Sequence, residues 1–252
     1  DAETTSRWYF VVTMGRKAGH LALGIGKAAG VTLTVIPEEF RHRPIRLTTL
    51  VDILAGAVIK RLSAGRSDGV AVLAEGLVEI LDQQDLSGLE DVERDQHGHV
   101  RLSEINFGSV LKRAVEKELR SLGIKITLVD KNIGYELRCA DPISFDMEYT
   151  RDLGYCAAQF LLEGGNAAMV SIQNGRFIPI PFDQILDPAT GRTRVRMVDV
   201  ESESYAIARR YMIRLSPDDL NHPQELSRLA TTVGLSPEAF RSRFEYLVAE
   251  RL

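Results

Sequence analysis

Apolar and polar positions along this chain switch repeatedly between a strand-like and a helix-like pattern. Trp8 to Thr13 (WYFVVT) is an unbroken aromatic and β-branched run. It predicts a strand buried on both faces, ended by Gly15-Arg16-Lys17. A helix is expected from about Lys17 to Ala29, closed by Gly30, then a strand over Val31 to Ile36 stopped by Pro37. Leu47 to Ser63 reads as a long helix and Gly69 to Ala74 (GVAVLA) as a third strand. Such alternation of strand and helix marks a parallel sheet with crossover helices.

Residues 83–106 interrupt the rhythm with Asp85, Glu90, Asp91, Glu93, Asp95 and Glu104, a polar stretch without sustained period. It is read as a surface excursion. The alternation resumes in Phe107 to Leu122, where Phe107, Val110, Leu111, Ala114, Val115, Leu119 and Leu122 keep helical spacing, with Gly123 as cap. Strands are expected at Ile124 to Val129 and Ala168 to Ile172, and a helix between them at Phe145 to Glu163. Phe177 to Ile180 pairs with the last strand through Asn174-Gly175, a hairpin turn signal. Glu201 to Arg214 and two segments after Pro223 and Pro237 read as helices. The fold class is therefore α/β, a Rossmann-like, largely parallel sheet flanked by helices.

Length and charge narrow the function. The 252 residues suffice for one large domain or two small ones, and 31 Lys plus Arg against 35 Asp plus Glu leave a net charge of −4. Non-specific nucleic-acid or anionic-membrane binding needs a basic surface, so neither is expected, and a small-molecule partner is. Two cysteines, Cys139 and Cys156, are too few for a disulfide framework or a four-ligand zinc site, which points to the reducing cytoplasm. No run is long enough for a membrane span. The first residues lack a signal-peptide pattern and a Met, consistent with a truncated start.

Ligands of open parallel sheets gather beyond the carboxyl ends of strands. Three segments stand there. Met14-Gly15-Arg16-Lys17 is a glycine-bearing basic turn expected to open a helix, whose N–H groups, dipole and arginine fork suit a phosphate. An ordinary glycine turn with a solvated Arg-Lys pair has equal weight. Glu75, before Gly76, could accept hydrogen bonds from sugar hydroxyls, although capping the next helix is the simpler reading. Tyr135 and Arg138 follow the fourth strand and could hold a phosphate, but surface arginines are common. The spacing Gly24, Gly26, Gly30 suits close helix packing better than a dinucleotide loop. His97 and His99 read as solvent-exposed, and Cys139 as a small buried thiol. Pattern alone thus reaches a phosphate or sugar-phosphate site.

Three blocks carry a sharper resemblance: VVTMGRKAGHLAL at 11–23, AVLAEG at 71–76, and NIGYELRCADPISFDMEYTRDLGYCAAQFLLEGGNAAMVSIQ at 132–173. Together they resemble the 6-phosphofructokinase family over most of residues 7–214. The YELR form is more like the pyrophosphate-dependent branch than the bacterial ATP enzymes, with ATP as the alternative donor. The resemblance implies the phosphofructokinase fold and a fructose 6-phosphate lobe at 1–215; the helical extension at 216–252 lies outside it, has no function readable from the sequence, and is expected to pack against another lobe or subunit. It puts Met14, Gly15 and Arg16 at the sugar, with Arg16 also steadying the phosphoryl group in transfer. Glu75 is implied to take sugar hydroxyls, and Tyr135 and Arg138 to hold the sugar phosphate. Arg7 is implied to reach across a subunit interface to a neighbour's site, which makes a homo-oligomer the expected assembly.

The departures from the family bear on mechanism. Asp146-Met147 stands where the bacterial ATP enzymes have an aspartate-arginine pair. No GGDGS-like donor loop and no TID-type catalytic base occur in the 252 residues. The resemblance thus implies the acceptor half of a glycolytic 6-phosphofructokinase whose donor, base and Mg²⁺ ligands lie in a missing N-terminal lobe. On this reading no metal ligand lies in this chain, and alone it is inactive. The rival is a non-catalytic module that binds a sugar phosphate for regulation or scaffolding, and a third reading is a folded lobe without useful affinity.

Overall fold

The computed structural model describes residues 1–87 and 106–248. They form two compact units, Asp1–Gly134 with Met197–Leu252 as unit 1 and Tyr135–Arg196 as unit 2.

Unit 1 is built on four parallel strands in the order β2-β3-β1-β4: β1 Arg7–Thr13, β2 Leu33–Val35, β3 Gly69–Ala74 and β4 Thr127–Ile133. A short helix, α1 (Ala2–Thr5), precedes β1. The crossovers are α2 (His20–Ala29), α3 (Leu47–Ser63) and, after the short α4 (Gln83–Ser87), α5 (Phe107–Ser121). Alternate side chains of the strands face opposite layers, as period two requires. Trp8, Phe10, Val12, Ala71 and Leu73 belong to one core with residues of α3 and α5. Val72, Ala74, Ala22 and Leu23 form the second core with α8 (Glu203–Tyr211). The three-layer α/β arrangement agrees with the reading of the pattern. Gly69 faces Trp8, since a Cβ there would lie 2.5 Å from the indole.

The C-terminal helices α9 (Pro217–Asn221), α10 (Pro223–Thr232) and α11 (Pro237–Phe244) close the first core. Leu220, Leu226, Leu229, Phe240 and Phe244 are buried with residues of α3. The extension expected to pack against another lobe or subunit thus packs into this unit's own interior, because its apolar side chains complete the core on α3.

Several expectations move. Helix α2 begins at His20, three residues late, because residues 15–18 close a turn, with the Ala18 N–H donating to the Gly15 carbonyl at 3.2 Å, and Gly19 is the N-cap. β4 runs three to four residues further than expected, because its partner β1 continues to Thr13, opposite Ile133. Asp130 remains in the strand by pairing with Lys112 of α5 at 3.0 Å. At 83–87 the predicted excursion is a helix, and Leu86 is buried. Residues 88–105, including His97 and His99, lie outside the described residues. Of the three glycines read as packing sites, Gly26 is one: a Cβ there would meet Thr34 Oγ1 at 2.0 Å. Gly24 faces open space and Gly30 is the left-handed C-cap.

Unit 2 holds α6 (Ser144–Leu162), the antiparallel pair β5 (Ala168–Gln173) and β6 (Arg176–Pro181), and the short α7 (Phe182–Ile185). The hairpin turns at Asn174 and Gly175, both at positive φ, as the sequence predicts. No side chain of unit 2 is buried. Phe145, Tyr155 and Leu161 are each more than half exposed. Cys139 is exposed rather than a buried thiol.

Candidate functional site

Parallel pairing sets Thr13 level with Ala74 on one side and Ile133 on the other, so three strands end in one row. The chain leaves β1 through Met14, whose N–H donates to the Ile133 carbonyl at 2.9 Å. It then turns sharply. Gly15 has φ 157° and a Cβ on it would stand 2.9 Å from the Ala18 carbonyl oxygen. Arg16 follows with φ 49°, a left-handed conformation that costs a non-glycine residue about 1–2 kcal/mol.

What holds that strained turn is Glu75. Its Oε2 accepts the N–H groups of Gly15 at 3.3 Å and Arg16 at 3.2 Å. The carboxylate therefore neither caps a helix nor stands idle, since it fixes the backbone of the neighbouring loop. Its Oε1 has no protein partner among the described residues and is free for a ligand hydroxyl. Gly76 makes the approach possible, because a Cβ there would be 2.2 Å from the Arg16 carbonyl oxygen. The turn thus presents the exposed Arg16 side chain, which has no acidic partner among the described residues, next to an oriented carboxylate.

Helix α2 starts four residues past Arg16, and the N–H of its N-cap residue is bonded elsewhere. The N–H of Gly19, the N-cap of α2, donates to Glu38 Oε1 at 2.9 Å, and Gly19 is buried. Sequence reasoning missed Glu38. Its Oε1 also accepts the Val198 N–H at 2.9 Å, while its Oε2 is buried without a partner. The signal was present in the same rule that picked out Glu75, since Glu38 follows Pro37 just past the end of β2.

Arg7 stands at the opposite end of β1 from the turn, opposite Thr127. Six residues at about 3.3 Å each separate it from the strand's end by roughly 20 Å, so it does not join Arg16 and Glu75 within one chain. Tyr135 and Arg138 belong to unit 2, and there they are brought together: the Arg138 guanidinium lies 5.5 Å from the centre of the Tyr135 ring. Tyr135 is 74% exposed. Asp146 accepts the Ile143 N–H at 3.0 Å and so starts α6, beside the half-exposed Met147.

Among the described residues no three His, Cys, Asp or Glu side chains converge as a cation cage requires, and Glu75 is already committed through one oxygen. The described residues do not fit a magnesium site. No helix among them is long and apolar enough to cross a membrane.

The sequence matches the family model described as phosphofructokinase over residues 1–161. It is 50% identical over 249 residues to a pyrophosphate–fructose 6-phosphate 1-phosphotransferase of Thermotoga maritima, covering 97% of this chain and 59% of that protein. A protein of the same name from Naegleria fowleri is 45% identical over 257 residues, covering 98% of this chain and 59% of its own length. The chain thus spans about three-fifths of these relatives. Among solved structures, phosphofructokinase from Saccharomyces cerevisiae superimposes with a TM-score of 0.53 at 20% identity, covering 98% of this chain and 26% of that one, a likeness of fold.

Proposed function

Because the chain belongs to the phosphofructokinase family, we propose that it is the acceptor-binding part of a pyrophosphate-dependent 6-phosphofructokinase. The observation that carries this reading is the turn at 14–16, held by Glu75 at the carboxyl end of the sheet, with Arg16 lacking an acidic partner among the described residues. Arg16 provides a positive fork for the phosphoryl group as its charge spreads in transfer. Oε1 of Glu75 accepts a sugar hydroxyl and orients the ring, so that the 1-hydroxyl of fructose 6-phosphate is presented to the donor. Met14 and Gly15 line the sugar, and Tyr135 with Arg138 holds the 6-phosphate. Pyrophosphate rather than ATP is favoured as donor by the names of the Thermotoga maritima and Naegleria fowleri relatives.

Residues 1–215 carry the acceptor side, and the helices of 216–252 buttress the core of unit 1. The general base, the donor contacts and the Mg²⁺ ligands belong to the remainder of the complete enzyme, a cytoplasmic protein. The same remainder covers the apolar side chains of unit 2, which are too exposed to form a core of their own. Arg7 acts on the site of a second copy, for it is too far from its own turn, so the enzyme is a homo-oligomer.

The test is calorimetric titration with fructose 6-phosphate of the complete protein and its Arg16→Ala and Arg138→Ala variants, alongside assay of fructose 1,6-bisphosphate formation from pyrophosphate. Losing a charge-assisted phosphate contact removes about 1.5–3 kcal/mol, so each variant should bind roughly ten- to a hundredfold more weakly. Unchanged affinity in both variants, or no pyrophosphate-dependent product, overturns the assignment.

A further inference from the structure

Unit 1 contains a cavity of about 350 Å³ that shares no residue with the turn at 14–16. It lies among α8, the segment 214–217 and the end of the described chain, and its volume falls in the range of small-molecule sites. Its charged wall is Glu39, Arg209 and Arg214, with Tyr205 beside them. Glu39 and Arg214 cancel one another: Nη1 and Nη2 of Arg214 lie 2.8 and 3.2 Å from the two carboxylate oxygens, and both side chains are nine-tenths buried.

Arg214 is held from other sides as well. Its guanidinium donates to the Thr34 carbonyl, and its own carbonyl accepts from Lys60 Nζ at 2.9 Å. Yet its Nε is buried without an acceptor. Arg209 is different, since it is exposed and has no acidic partner of its own among the described residues. Among the described residues the wall therefore carries one positive charge in excess. The remainder of the lining includes Ile53, Leu215, Leu247 and Val248, an apolar surface on which a charged group alone would gain nothing.

We propose that this cavity binds a small organic oxyanion, with its phosphate or carboxylate on Arg209 and an apolar body against Leu215 and Leu247. The Arg214 guanidinium beside Arg209 holds it below the ordinary arginine range, an unfavourable pairing of like charges that a bound anion relieves. The fixed Arg214–Glu39 pair keeps the pocket open at no cost on binding, because its members are already ordered. None of these groups belongs to the sugar-phosphate site proposed above, so the two sites fail or stand separately.

Titration calorimetry with phenyl phosphate, benzoate, inorganic phosphate and phenol tests it on the full chain. Saturable binding of phenyl phosphate or benzoate is expected, at least tenfold tighter than of inorganic phosphate or phenol. Arg209→Ala should weaken it at least tenfold, and Ala206→Phe, which fills the cavity from an exposed helix position, should abolish it. Both sites are solvent-facing, so the variants keep their fold, checked by an unchanged unfolding temperature. Arg16→Ala should have no effect. Absence of saturable binding, or binding indifferent to Arg209→Ala, overturns the proposal, as does binding lost in Arg16→Ala, which would place the anion at the turn.

Discussion

Glu75 and Gly76 divide the support of one turn between them. The carboxylate accepts two N–H groups from Gly15 and Arg16, and the missing Cβ of Gly76 lets the two loops come close enough to do so. Gly76→Ala should therefore push the Arg16 carbonyl away, at a cost of about 1–3 kcal/mol typical of overpacking. Weaker binding of fructose 6-phosphate together with a lower unfolding midpoint is the expected outcome, and unchanged binding would separate turn geometry from substrate affinity. A second residue makes a pH-dependent contribution. Arg66 and then Arg61 hydrogen-bond the Asp68 carboxylate, each at 2.9 Å, and hold it at about 2 against its ordinary 3.8. Its ionised form is favoured in the folded chain, so the stabilisation is complete above about pH 5 and is lost as pH falls through 3.8 towards 2. The unfolding temperature of the native chain should drop over that window more steeply than that of Asp68→Asn, and equal slopes would refute the assignment. Arg16 and Glu75 were legible as candidates from their place after strands. That the carboxylate grips the turn's backbone was not, because the partner is 60 residues away in sequence.

Two glycines in α2 show how an element's sequence carries different instructions two residues apart, on opposite faces of the helix. Gly26 faces β2, where a Cβ would meet Thr34 Oγ1 at 2.0 Å, whereas Gly24 faces open space. Gly26→Ala should destabilise by about 1–3 kcal/mol as the helix is forced from the sheet. Gly24→Ala should stabilise by up to about 1 kcal/mol through helix propensity. Denaturant unfolding of the two variants checks the pair, and shifts of the same sign would contradict the packing. Element type and order were readable because apolar spacing follows the helix or strand period. Ends were less so. The start of α2 was delayed by the turn over residues 15–18, and β4 was shifted to Thr127–Ile133, over Asp130, Lys131 and Asn132, by pairing with β1.

The whole of unit 1 is closed by residues that carry no motif. Leu226, Leu229, Phe240 and Phe244 are buried in the core that also holds Trp8, Phe10 and α3. A chain ending at Leu215 would expose this apolar face to water, where burial of each such side chain is worth about 1.5–3 kcal/mol. It should lose cooperative unfolding and bind hydrophobic dye, as followed by calorimetry and fluorescence. A sharp native-like transition in the truncated chain would show the helices to be an ornament on a self-sufficient core.

Local order in this protein was determined by the sequence alone. Strands β1 and β3, the long helix α3, the Asn174-Gly175 hairpin and the identity of the turn at 14–16 follow from period, turn chemistry and motif, all of which act between near neighbours. Tertiary structure decided which distant groups meet. Glu75 reaches the turn, Glu38 takes the N-cap of α2, Arg7 is left at the far end of its strand, and Arg209 joins the buried Arg214–Glu39 pair in one cavity wall. These depend on strand order and crossover direction, because parallel pairing aligns strand ends that lie 38 to 120 residues apart. No window of neighbouring residues contains that information.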